Sequence, residues 1–186
     1  MKLIIGISGA TGAIYGLRLL ETLKKISGVE THLTITKSAI KTIELEMSLT
    51  EDQVKSLATY YHDVENLAAP IASGSFMVDG MVVVPCSMKT LAGIASGYSD
   101  NLLLRAADVT IKERRPLILV TRETPLSPIH LENMLKLARC GVTILPAMPA
   151  FYHKPKTIDD LVNQIVGKIL DKLGLEHKLY RRWTQP

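Results

Sequence analysis

"KLIIGISGATGAIYG", residues 2–16, is the stretch whose reading decides the fold. Lys2 to Ile5 opens a run of apolar residues of the kind buried on both faces of a sheet. Glycines follow at 6, 9, 12 and 16, and from residue 13 onward apolar residues recur at helical spacing. The stretch therefore reads as strand, tight turn, helix. Glycines in such a turn allow unusual dihedrals and close backbone approach, while the helix start presents unpaired N–H groups and a partial positive charge. An anion site and plain strand-helix packing are both open readings, and the spacing is not the G-x-G-x-x-G fingerprint of dinucleotide sites.

Working outward, strand-like runs occur at "ETHLTIT" (30–36), "GMVVVP" (80–85), "PLILVT" (116–121) and "GVTILP" (141–146). Helical patterns fill 13–26, 38–46, 101–113, 129–139 and 157–173, and 58–79 reads as loop. Strands alternating with helices predict an α/β fold, a parallel sheet with helices on both faces. No repeat or linker divides residues 1–186, so one domain is expected.

Composition narrows the function classes. The 186 residues carry 22 Lys and Arg against 18 Asp and Glu, with 5% aromatic residues. A net charge of +4 spread along the chain, with few aromatics for stacking, argues against nucleic acid as a partner. No stretch approaches the roughly 18 apolar residues of a membrane span, and the start lacks a signal-peptide pattern, so a cytoplasmic protein is expected. Cys86 and Cys140 sit in apolar surroundings and read as buried free thiols. The five histidines have no cysteine or carboxylate at ligand spacing, which predicts no metal site.

In open α/β sheets ligands bind outside the carboxyl ends of the strands. Here those ends read "SGATG", "TKSA", "PCSMKT", "TRETP" and "PAMPAFYH". They bring hydroxyls, Lys89, Arg122, Glu123 and Tyr152 to one rim, a set suited to a phosphate and a polar aromatic ring. An NAD site wants an acid after the second strand, where this chain has Thr36 and Lys37. Lys37 keeps NADP as the weaker candidate, and FMN, with one terminal phosphate, needs fewer donors.

"GISGATGAIYG", "PCSMKTLAGIASG", "RAADVTIKERRPLILVTRETP", "IHLENMLKLA" and "PAFYHKP" together resemble the UbiX-like flavin prenyltransferase family, in particular the subgroup associated with phenolic acid decarboxylation. The resemblance runs nearly end to end. It implies a Rossmann-like three-layer fold with a mostly parallel central sheet. It also implies transfer of a dimethylallyl group from dimethylallyl phosphate to reduced FMN, without metal, the prenylated FMN then serving a separate UbiD-type decarboxylase. A large homo-oligomer, commonly a dodecamer, is implied as well.

Carried onto this sequence, the resemblance places Gly9, Ala10, Thr11, Thr36, Ser87, Met88, Lys89, Thr90 and Arg122 at FMN. Arg105, Tyr152 and Lys168 fall to the prenyl phosphate, and Thr11, Glu46, Lys112 and Glu123 to catalysis. Without the resemblance, Ser87 and Thr90 read as helix caps, Glu46 as a surface helix residue, Glu123 as an ion-pair partner and Lys168 as a solvated lysine. Trp183, beside Arg181 and Arg182, suits a tail from about residue 174 that docks on a neighbouring subunit. The alternatives are an FMN-dependent decarboxylase of cysteine substrates, whose expected histidine is missing from "IASGSF" (71–76), and a non-catalytic FMN carrier.

Overall fold

The computed structural model of the chain describes residues 1–183. Four apolar runs form the central strands β1 (Lys2–Ile7), β2 (Glu30–Ile35), β4 (Gly80–Cys86) and β5 (Leu117–Thr121), while β3 (Tyr60–Tyr61) and β6 (Thr143–Ile144) are short edges. The order across the six-stranded sheet is β3-β2-β1-β4-β5-β6, and every pairing is parallel. This is the Rossmann-like arrangement that the resemblance implies.

Alternation along each strand feeds two cores. Leu3, Ile5 and Ile7 of β1, Val82 and Val84 of β4, and Ile118 and Val120 of β5 face one side. Ile4, Met81, Val83, Leu117 and Leu119 face the other. Because both faces are covered, the strands read as continuous apolar runs rather than alternating ones. Helices α1 (Ala13–Leu23), α2 (Lys37–Met47), α3 (Glu51–Lys55) and α7 (Ile158–Leu173) contribute to the first core. Helices α4 (Met88–Ser96), α5 (Leu102–Lys112) and α6 (Pro128–Arg139) contribute to the second. α6 buries only Leu137 and leaves Ile129, Leu131 and Leu135 at 67%, 52% and 51% exposure. α1 lies so close to the sheet that a Cβ on Gly16 would stand 2.5 Å from the carbonyl oxygen of Val84. That glycine serves packing, one of the two open readings of the opening stretch.

The five expected helices form with no end shifted by more than three residues. The sequence reading gave no range for α3 or α4, although it read Ser87 and Thr90 as helix caps and Ser87 does cap α4. Within the expected loop 58–79, Tyr60 and Tyr61 pair with His32 and Leu33, and a 3-10 turn occupies Pro70–Ala72. Cys86 is buried and free as expected, and burial pushes its thiol pKa up. Cys140 corrects the expectation: it follows the last turn of α6 and is exposed. The segment after α7 folds back on its own chain, where Leu175 and Leu179 join the first core. Residues 184–186 of the expected tail lie outside the described residues. Among the described residues no helix is long and apolar enough to cross a membrane.

Candidate active site

Crossovers leave β1 and β4 toward opposite sides of the sheet, so a crevice opens between their carboxyl ends. Ser8 closes its floor. Its buried hydroxyl donates to the Pro85 carbonyl at 2.9 Å and accepts from the Ser87 backbone N–H at 2.8 Å. The sequence reading missed Ser8, although a hydroxyl directly after β1 was the available signal.

The glycine turn rises above this floor. Gly12, at φ 91°, is the N-cap of α1 and has no side chain to satisfy the helix start. Glu46, from the last turn of α2, supplies the anion instead. Its carboxylate accepts from Gly12 N–H at 3.0 and 3.1 Å and from Ala13 N–H at 3.1 Å. The positive end of α1 is thus occupied by the protein's own carboxylate. Thr11 is left exposed, its hydroxyl without a hydrogen-bond partner among the described residues, with Gly9 and Ala10 preceding it in the same loop.

The other hydroxyls of the rim cap helices. Thr36 accepts from Ala39 N–H at 3.2 Å at the start of α2. Ser87 accepts from Thr90 N–H at 3.2 Å at the start of α4 and donates to the Thr90 hydroxyl at 3.1 Å. Capping leaves the first N–H groups of these helices, those of Lys37 and Ser38 and of Met88 and Lys89, free for a guest. Lys89 is exposed, and Lys37, the residue that kept NADP in view, pairs with Glu65 at 3.2 Å.

Beyond β5, Arg122 and Glu123 line a hollow of about 60 Å³ with Thr124, Leu126, Met134 and Met148. Arg122 is anchored by its backbone N–H on the Cys86 carbonyl at 3.2 Å, yet its Nε is buried without a partner. A buried guanidinium nitrogen left unpaired is costly, and a ligand acceptor would satisfy it. The alternative reading of Glu123 as an ion-pair partner finds no such pair among the described residues; its carboxylate accepts from Thr124 N–H at 3.1 Å. Pro146 and Met148 also border a second cavity, of about 330 Å³, lined by Gln164, Lys168 and Asp171. Tyr152, beside Lys168, packs edge-on against His153 and Trp183, with ring centroids 5.7 and 5.3 Å away. Both ring nitrogens of His153 are buried and unpartnered.

Two expected residues do not reach this rim within one chain. Lys112 ends α5 at the amino end of the sheet, paired with Glu113 beside Gly74. Arg105 directs its guanidinium to the Ala72 carbonyl at 3.1 Å and to Asp108 at 2.7 Å. Among the described residues no group of three or more His, Cys, Asp or Glu is placed to hold a metal ion.

Residues 1–170 match the Flavoprotein family. The flavin prenyltransferase UbiX of Thauera aromatica is 50% identical over 184 residues, covering 99% of this chain and 94% of its own. A dodecameric FMN-dependent UbiX-like decarboxylase from Escherichia coli O157:H7 superposes with a TM-score of 0.98 at 56% identity, over 100% of both chains. The chain belongs to the UbiX-like flavin prenyltransferase family. AnUbiX, solved in complex with FMN and dimethylallyl pyrophosphate, matches this prenyltransferase with a TM-score of 0.97 at 49% identity, over 99% of this chain and 97% of its own.

Proposed function

We propose that this flavin prenyltransferase moves the dimethylallyl group of dimethylallyl phosphate onto reduced FMN, and that the product is the cofactor of a UbiD-type decarboxylase. The observation that carries the reading is the unpartnered, buried Nε of Arg122 at the mouth of the crevice. A ring rich in carbonyl and nitrogen acceptors fits that donor, and Gly9, Ala10, Thr11, Thr36, Ser87, Met88, Lys89 and Thr90 would hold the remainder through hydroxyls and free helix-start N–H groups. When bound, reduced FMN supplies the nucleophilic ring that accepts the allyl group.

The chain's own residues then manage charge and protons. As the allylic C–O bond breaks, its electron pair passes to the phosphate, and the ammonium of Lys168 and the hydroxyl of Tyr152 face the growing negative charge. Glu123, its carboxylate held at the rim by Thr124 N–H, is placed to deliver a proton to the leaving phosphate. Glu46, fixed beside Thr11 by Gly12 and Ala13, is placed to take the proton lost when the new ring closes. Lys112 and Arg105 enter only if another copy delivers them. The open rim and the exposed Ile129, Leu131 and Leu135 of α6 support a homo-oligomer, taken here as a dodecamer, with the 72%-exposed Trp183 docking the tail on a neighbour. Free Cys86 and Cys140 suit a cytoplasmic setting.

The deciding experiment incubates the protein anaerobically with reduced FMN and dimethylallyl mono- or diphosphate, with and without chelator, and weighs the released flavin by mass spectrometry. A gain of one isoprene unit is expected, together with activation of an apo UbiD-type enzyme by the released product. Unmodified FMN would overturn the reading and leave a carrier. Direct decarboxylation of a phenolic acid by the protein alone would overturn it in favour of a decarboxylase.

A further inference from the structure

Lys168 and Asp171 stand three residues apart on the last turns of α7, and the returning segment crosses them. Gly167 permits that crossing: a Cβ there would stand 2.5 Å from Cδ1 of Tyr180 and 2.7 Å from Cε1 of His177. The Tyr180 ring lies beneath the Lys168 ammonium, 5.4 Å from Nζ to centroid, and its hydroxyl donates to Asp171 Oδ2 at 2.7 Å. Leu179 N–H donates to His177 Nδ1 at 3.2 Å, which leaves the ring proton on Nε2 to be donated to Asp171 Oδ1 at 3.0 Å. Arg182 donates to the same oxygen at 2.6 Å. Burial opposes ionisation of Asp171, but hydrogen bonds from Tyr180, Arg182 and His177 hold its pKa at about 2. The neighbouring Tyr180 hydroxyl holds the Lys168 ammonium above its ordinary pKa, against burial.

This arrangement answers two physical problems. A lysine is a point charge on a flexible stem, so an unguided Lys168 would lose rotamer freedom on meeting a phosphate. A carboxylate beside it would repel the same phosphate unless its charge were balanced. We propose that residues 177–182 form a positioning strap for Lys168, in which Tyr180 fixes the ammonium and Arg182 neutralises Asp171, so that the donor phosphate meets a placed and uncontested cation. The proposal rests on the reading of Lys168 as a donor-phosphate residue.

The test titrates dimethylallyl monophosphate calorimetrically into protein loaded with oxidised FMN, where no turnover occurs, and measures donor KM and kcat anaerobically. Y180F is expected to weaken donor binding by about tenfold in the titration and to lower kcat/KM at least as much, with FMN affinity unchanged. R182Q is expected to weaken donor binding with a loss that grows as salt is lowered. Adding D171N to R182Q removes the uncompensated carboxylate and is expected to restore affinity, a rescue that a role in folding alone would not give. Wild-type donor affinity in Y180F, alongside loss in K168Q, would overturn the strap. Failure of D171N to improve on R182Q would overturn the charge argument. Unchanged donor affinity in K168Q would overturn the reading of Lys168, and the strap with it.

Discussion

Replacing Glu46 tests how the opening turn is held. Its carboxylate is the acceptor recorded for two backbone N–H groups at the start of α1, since Gly12 offers no side-chain cap. E46A removes a cap, worth about 1 kcal/mol, and a negative charge at the positive helix end, worth about 0.5 kcal/mol more. The total of about 1.5 kcal/mol corresponds to a fall of about 3–6 °C in melting temperature for a chain of this size. E46Q keeps an acceptor oxygen and loses only the charge, so its melting temperature should fall by about 1–2 °C. Its amide cannot take a proton, however, and anaerobic prenyl transfer should drop by about a hundredfold. Calorimetry and turnover on the same preparations separate the two roles. An E46A variant that melts with the wild type would refute the capping argument, and full turnover in E46Q would remove Glu46 from proton transfer.

Thr11 caps no helix among the described residues, so T11A should change stability by less than about 0.5 kcal/mol; prenyl transfer should fall and T11S should retain it, and a T11A variant with full turnover would exclude the hydroxyl from the reaction. R122A should weaken FMN binding in a fluorescence titration, and unchanged affinity would mean that the orphaned Nε faces no flavin. The pKa of Asp171 is lowered from 3.8 to about 2, so its contribution is present above pH 3.8 and is lost as pH falls toward 2. That shift corresponds to about 2 kcal/mol. D171N should therefore lower the melting temperature by about 4–8 °C at pH 7, with the gap to wild type closing on acidification; a gap constant down to pH 2 would refute the linkage. G16A should cost about 1–3 kcal/mol, because its methyl group meets a backbone carbonyl that cannot move aside, and a neutral result in urea unfolding would show that α1 shifts freely.

The sheet was legible because its strands are buried on both sides, which leaves dense apolar runs between helical patterns. The edges were less so: β6 was read within "GVTILP" but forms over only two residues, while β3 was missed, because "YY" at 60–61 carries no period at all. Individual rim residues were readable at the strand ends, since a parallel sheet sends every loop that follows a strand to the same side. What those residues do to one another was hidden. Nothing in the spacing of Gly12 and Glu46, 34 residues apart, announces a cap. The gathering of Tyr180 and Arg182 on Asp171 depends on a chain reversal after α7, which local pattern does not encode. Lys112 shows the opposite difficulty: sequence resemblance assigns it a role that the path of one chain does not let it reach.

The seam between β1 and β4 is fastened at both ends. At the amino end the Lys2 backbone N–H donates to Asp79 Oδ2 at 2.6 Å, and at the carboxyl end the Ser8 hydroxyl spans Pro85 and Ser87. With both margins pinned and paired backbone between them, residues on the two sides of the crevice floor move as one plate. Opening and closing by hinge rotation of one half of the sheet against the other is therefore closed to this molecule. Millisecond exchange in relaxation-dispersion spectra should concentrate in the 122–127 loop, leaving the strands silent. Access to the crevice is then expected to depend on that loop rather than on the sheet.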